Sequence, residues 1–357
     1  MIFRPHSLQV GVSEFDIHSL NRGTPIYIYR ESLILHQTGH FLRVLRRSEI
    51  MQNKRVLVTG GAGFIGSNLA NHLAADNDVI VVDDEYLGTP ENLEENVTYH
   101  SASVLDEDLP TDVDVVYHLA ALSSYAMHEE NPQLGARVNV EGFVNTVEQA
   151  RQDDCETVVY ATTSSIYGDR TEPSPEDMEV AVNTGYEASK LARERYAEYF
   201  SNHYDLSCAG MRFFSVYQGY DGAEEHKGEY ANVIAQFSDD IANGRRPEVY
   251  GDGTQTRDFT HVDDIVRALE IAGDERLNGI YNVGTEEPYS FNELVELINE
   301  ELGTAIEPTY VENPIPEDVY VHDTYADISK LRSETGWEPQ ISFEEGLARV
   351  CEPYLSE

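Results

Sequence analysis

Apolar positions in this chain fall into short unbroken runs that alternate with stretches of helical spacing. Arg55-Val-Leu-Val-Thr59 is one such run, rich in β-branched residues, and reads as a strand buried on both faces. From Phe64 to Ala75 the apolar residues recur three and four apart, the mark of a helix with one buried face. Further runs at 79–83, 97–100, 114–118, 156–161 and 206–211 predict strands, and helical spacing recurs near 132–151 and 187–203. Strands alternating with helices predict an α/β fold, a doubly wound parallel sheet of the Rossmann type with right-handed crossovers. The alternation breaks between 218 and 258, and again after about 285. Segments 218–258 and 286–357 are therefore expected to form a smaller C-terminal substrate lobe, and 51–217 with 259–285 the main domain.

Between the first predicted strand and helix lie Gly60, Gly61, Gly63 and Gly66. A glycine turn in that context lets the backbone approach a pyrophosphate, while the helix start supplies free N–H groups and positive dipole. Phe64 and Ile65 belong to the same turn. An acidic residue is required about 20 positions later to hold the adenosine ribose. Asp83 supplies it, ending Val79-Ile-Val-Val-Asp83. A carboxylate there accepts from both ribose hydroxyls and repels a 2′-phosphate, so the expected cofactor is NAD.

Composition narrows the partners. The formal charge is −41, which excludes a nucleic-acid footprint, and no segment has the length and apolarity of a membrane span. Four lysines (positions 54, 190, 227 and 330) stand against twenty arginines, and the acids are scattered rather than blocked. That balance matches proteins of a molar-salt, halophilic cytoplasm, where screening weakens self-repulsion. Cys155, Cys208 and Cys351 make no metal pattern and read as reduced thiols in a cytoplasmic protein, with no metal site expected. Residues 1–50 hold six arginines and only four acids, lack an apolar signal region, and read as an extension preceding a domain that begins at Met51.

Taken together, Gly60-Gly-Ala-Gly-Phe-Ile-Gly66, His118-Leu-Ala-Ala121, Tyr186-Glu-Ala-Ser-Lys190 and Arg257-Asp258 resemble the extended short-chain dehydrogenases/reductases. Within these the chain is similar to the nucleotide-sugar epimerases of the UDP-glucose 4-epimerase type, over about 52 to 355. The resemblance implies that Tyr186 is the acid/base, Lys190 its partner one helical turn away, and Thr163 the hydroxyl that relays the proton, with Ser164 as the alternative. A free tyrosine, with a pKa of about 10, is a poor base at neutral pH, and a nearby ammonium and the nicotinamide cation both favour the phenolate. Ala120, Ala121 and Asn139 are expected on the nicotinamide side. Dehydratases and decarboxylases of the family follow this Thr with acids, whereas Ser164 and Ser165 stand here, which disfavours both reactions.

For the substrate, a nucleotide-diphosphate sugar, the resemblance assigns Arg257 to the diphosphate and puts Ser123, Ser164, Ser215 and Asn232 around the ligand. It places Thr324 beside the carbon-2 substituent of the sugar, with room for an acetamido group. There are departures. Ser103 stands where an Asp often flanks the adenine, Ser215 replaces an Asn, and Pro314–Tyr320 occupies the place of a second diphosphate arginine. His226-Lys227-Gly228 is closer to the ADP-heptose 6-epimerases, which makes Lys227 a candidate second acid/base. The implied activity is NAD-dependent 4-epimerisation of a UDP-hexose through a transient 4-keto sugar, by a homodimer. A 6-epimerase, a nucleotide-sugar reductase and a non-catalytic NAD(H)-binding protein stand as alternatives.

Overall fold

A computed structural model describes residues 51–106 and 109–355; the expectations for residues 1–50 lie outside them. Strands β1 (Arg55–Thr59), β2 (Asp78–Asp83), β3 (Thr98–Ser101), β4 (Val115–His118), β5 (Thr157–Ala161), β6 (Ser207–Phe213) and, much later, β11 (Gly279–Val283) form one seven-stranded sheet. Its order is β11-β6-β5-β4-β1-β2-β3 and every neighbouring pair is parallel. The chain thus runs outward in one direction from β1 and in the other from β4, and the reversal between them opens a crevice at the C-terminal strand ends.

Helices α1 (Phe64–Leu73), α2 (Tyr125–Glu130), α3 (Pro132–Ala136), α4 (Gly142–Gln152) and α5 (Gly185–His203) connect the strands. The helix predicted near 132–151 is broken: a π-helical turn, Arg137–Glu141, separates α3 from α4. Such a turn inserts one residue into the spiral and is a way to aim a side chain inward. Here it carries Asn139, which is fully buried. α5 begins with a capping box, in which Thr184 accepts from the Glu187 N–H and Glu187 returns the bond. That fixes the first turn, one residue from Tyr186.

Two apolar layers cover the sheet faces. Val56, Val58, Val81 and Tyr117 pack on one side with Leu69, Leu73 and α7 (Val262–Asp274), and Leu57, Ile80, Val116 and Tyr160 on the other with Phe143 and Phe200. Met51 is buried in the first layer. A separate core joins α6 (Val233–Ala242), α8 (Phe291–Leu302) and α10 (Phe343–Leu355) through Ile234, Phe237, Leu294, Ile298 and Leu347. Three short two-stranded sheets accompany it: β7 (Val216–Tyr217) with β10 (Thr260–His261), β8 (Glu248–Tyr250) with β13 (Thr309–Val311), and β9 (Thr256–Asp258) with β12 (Pro288–Ser290). α9 (Ser329–Thr335) lies on β11. No helix among the described residues is long and apolar enough to cross a membrane.

Candidate active site

The crevice at the strand ends widens into a cavity of about 520 Å³. Its floor is the glycine turn. Gly60 has φ +69°, and a Cβ there would lie 2.5 Å from the Ala120 nitrogen, so any other residue would push the turn off β4. A Cβ on Gly66 would meet the Gly60 carbonyl at 2.1 Å, so α1 can start this close to the turn only with glycine. Gly63 caps α1 without a side-chain bond, which leaves the first-turn N–H groups facing the cavity as donors for an anion. Asp83, at the end of β2, accepts from the N–H of Ala62 at 3.1 Å and of Glu85 at 2.8 Å. Burial raises its carboxyl above the ordinary value, and those two donors oppose the rise. These features fit a dinucleotide: a close-approach turn, unclaimed N–H groups and a carboxylate one strand away.

At the other end stand Thr163, Tyr186 and Lys190, all on the cavity wall. Lys190 is buried, its Nζ donating to the Ala161 carbonyl at 3.3 Å and lying 5.7 Å from the centre of the Tyr186 ring. The Tyr186 phenol is raised above its ordinary value by burial, while a hydrogen bond with Thr163 and the charge of Arg193 pull it down. Lys190 itself is lowered well below its ordinary value, by burial first and Arg193 second. The Thr163 hydroxyl also lies 2.9 Å from that of Ser165.

Ser123, Ser164, Ser215, Lys227 and Asn232 line the same cavity, as do Phe64, Ile65, Ala120 and Ala121. Ser215 has a positive φ of 26°, an uncommon conformation for a residue with a side chain. Lys227 approaches from the segment after β7, its Nζ 5.5 Å from the centre of the Phe64 ring, and burial lowers its pKa. That segment is held by Glu224, which is fully buried and accepts main-chain N–H bonds from Gln218, Gly219 and Asn232 at 2.7, 2.9 and 2.6 Å.

Three expected residues are not on the cavity wall. Arg257 spends its guanidinium on the carbonyls of Thr256, Val321 and His322, beneath Phe291 and Tyr320. Thr324 is buried, its hydroxyl accepting the Asp258 N–H at 3.2 Å, because the strip around Asp323 pairs with Thr256. Thr324 is thus not among the residues lining this cavity. Asn139 acts from behind the wall: its Oδ1 accepts the Leu122 N–H at 2.9 Å and its Nδ2 donates to the Leu122 carbonyl at 3.0 Å and to Ser189 Oγ at 2.9 Å. Sequence reasoning passed over Arg193, although it lies one turn beyond Lys190 on the same helix face. It also passed over Tyr86, Val104 and Tyr230 on the wall.

Asp83 and Asp84 are the only acids on the wall among the described residues, and both stand at the β2 end, away from Tyr186. The family model for NAD dependent epimerase/dehydratases matches residues 56–284. A putative UDP-glucose 4-epimerase of Methanocaldococcus jannaschii is 35% identical over 303 residues, covering 83% of this chain and 96% of that one. The UDP-glucose 4-epimerase of Mycolicibacterium smegmatis is 35% identical over 312 residues, covering 84% and 97%. Among solved structures, the UDP-N-acetylglucosamine 4-epimerase of Methanobrevibacter ruminantium M1, in complex with UDP-N-acetylmuramic acid, is 31% identical with a TM-score of 0.79, covering 86% of this chain and 99% of that one.

Proposed function

The chain belongs to the NAD dependent epimerase/dehydratase family, and from that premise we propose that it is a UDP-hexose 4-epimerase. It is an NAD-dependent nucleotide-sugar epimerase. In this reading Gly60, Gly63 and Gly66 with the α1 N-terminus hold the pyrophosphate, and Asp83 holds the adenosine ribose. NAD held by these residues would supply reversible hydride transfer at the sugar carbon. Thr163 Oγ1 takes the hydroxyl proton of the sugar and passes it to the Tyr186 oxygen, which gives it back when the hydride returns. Lys190, whose Nζ donates to the Ala161 carbonyl, stands beside the Tyr186 ring as its partner. Ser123, Ser164, Ser215, Lys227 and Asn232 surround the sugar and diphosphate.

One observation carries the choice of epimerase over dehydratase or decarboxylase. The positions after Thr163 are serines, and the acids on the cavity wall stand at its opposite end. Elimination of water needs an acid and a base beside the sugar, and neither carboxylate is there.

The test is incubation of the purified protein with UDP-, ADP-, GDP- and dTDP-sugars in high salt, with the products read by NMR. Interconversion of UDP-glucose and UDP-galactose is expected. Turnover of an ADP-heptose alone would replace this reading by a 6-epimerase. Tyr186→Phe is expected to abolish turnover while leaving NAD binding and melting temperature unchanged, because only the acid/base oxygen is lost. We further propose a homodimer through α4 and α5, where Tyr196 and Tyr199 are exposed and Tyr199 stands edge-on to Tyr204, working in a saline cytoplasm. Light scattering checks the first point.

A further inference from the structure

α5 carries Tyr186 and Lys190, the stretch after β5 carries Thr163, and one buried ion pair joins the two. Glu194 stands on α5, two turns beyond Tyr186 and one beyond Lys190. Its carboxylate takes Arg212 of β6 through two bonds, from Nη2 to Oε2 at 2.7 Å and from Nε to Oε1 at 2.9 Å, with both side chains 4% exposed. Glu194 Oε1 also accepts the Thr162 hydroxyl at 2.8 Å. Arg212 Nη1 donates to the Tyr167 hydroxyl at 2.6 Å, and that hydroxyl donates to Asn282 Oδ1 at 2.7 Å. Thr162 and Tyr167 are the two ends of Thr162-Thr-Ser-Ser-Ile-Tyr167, and Thr163 lies inside it. The pair therefore grips the stretch at its entry and at its exit.

Other bonds keep this stretch in register with α5. The Ala161 carbonyl, one residue before Thr162, accepts from Lys190 Nζ and Arg193 Nη1, each at 3.3 Å. The Thr162 N–H donates to the Met211 carbonyl of β6 at 2.9 Å, and the Tyr167 N–H closes a turn on the Ser164 carbonyl at 3.1 Å. Within that turn the Ser165 N–H donates to Thr163 Oγ1 at 3.2 Å. The helix that bears Tyr186 and the stretch that bears Thr163 thus share a buried, hydrogen-bonded seam. Net stability is a poor explanation for the charges in it. Desolvation offsets most of the attraction within a buried pair, and apolar packing of similar volume is often as stable. What such packing lacks is direction, which a fully bonded polar network supplies.

We infer that Glu194 and Arg212 are positioning residues for the reaction: through Thr162 and Tyr167 they set where Thr163 presents its hydroxyl to Tyr186. The inference rests on the reading of Thr163 as the relay and Tyr186 as the acid/base. Thr162→Val tests it, because it removes the bond to Glu194 and touches neither Glu194–Arg212 bond. Steady-state rates on the sugar that the nucleotide-sugar panel identifies, NAD affinity by calorimetry and melting temperature are measured for wild type, Thr162→Val, Thr162→Ser, Thr163→Val and the double variant Thr162→Val/Thr163→Val. Thr162→Val is expected to lower kcat roughly 10- to 100-fold, the scale of a small misplacement of a reacting group. KM and NAD affinity should stay within about threefold, and Thr162→Ser, which keeps the hydroxyl, should hold kcat within about threefold of wild type. In the double variant Thr162→Val should add nothing to the loss from Thr163→Val, since it acts through that residue. Should Thr162→Val fail to fold, Thr162→Ala takes its place with the same expectations. The inference is overturned by a Thr162→Val kcat close to wild type, by a parallel loss of NAD affinity, or by losses that multiply in the double variant. Full turnover by Thr163→Val removes the relay reading and the inference together, whereas an inactive Thr163→Val beside a normal Thr162→Val sinks the inference alone.

Discussion

In the proposed function one side chain, Asp83, sets cofactor choice. Its carboxylate is fixed by two main-chain N–H groups and faces the cavity at the end of β2. Asp83→Asn removes the charge that repels a 2′-phosphate and keeps the shape. It is expected to raise the affinity for NADP relative to NAD by roughly tenfold or more, on the scale of one lost close charge contact. Titration calorimetry with both dinucleotides checks this, and a wild type that already prefers NADP would refute the ribose assignment. Asp83, Tyr186 and Lys190 were legible in the sequence because each lies at a spacing fixed by one local element. Arg193 was not, because its partners Ala120, Asn139 and Ala161 are scattered along the chain and offer only backbone carbonyls. The setting of Thr324 was not legible for a related reason: it depends on how the strip around Asp323 pairs with Thr256, which no local spacing reveals.

Six strands of the large sheet could be read from apolar runs, to within a residue or two at their ends. The seventh could not. β11 carries Asn282 as the fourth residue of Gly279-Ile-Tyr-Asn-Val283, which interrupts the run. That Asn is fully buried, accepting from the Tyr167 hydroxyl at 2.7 Å and donating to the carbonyls of Ser174 and Asp327 at 2.7 and 2.9 Å, so it ties two connecting segments to the sheet edge. Between α5 and β6, Glu194 and Arg212 form an ion pair with both side chains 4% exposed. Glu194→Gln strands Arg212 in the core and is expected to cost about 3–5 kcal/mol in chemical denaturation. α1 and α7 meet at a milder pair, His72 with Glu270 at 2.9 Å. The bond to Glu270 raises the His72 pKa in the folded protein. Its stabilisation is therefore fully present below the ordinary value of about 6.5 and is lost as pH rises through the raised one. The histidine is about half exposed, so the effect is discounted to roughly 0.3–1 kcal/mol. Melts of wild type and His72→Gln should differ at pH values below that window and coincide well above it.

For the molecule as a whole, charge sets the working conditions. At −41 the chain repels itself, and the screening length shrinks from about 10 Å at 0.1 M salt to about 3 Å at 1 M. The melting temperature is expected to climb as potassium chloride is raised over that range. A flat or falling dependence would show that the acidic surface does not limit stability. Charge and the alternation of strands and helices could be read over the full length of the sequence, whereas the cavity could not, because residues from β1 to α6 meet only when the sheet is wound. Glu224 has a consequence of its own for that cavity. One buried carboxylate gathers N–H groups from Gln218, Gly219 and Asn232, so both ends of the intervening stretch are clasped at a single point. Between them, residues 225–230 include the wall positions Lys227 and Tyr230 and contribute no fully buried side chain. This part of the wall is thus an exchangeable cassette: its side chains can be replaced while the clasp keeps the frame of the loop and the core stays folded.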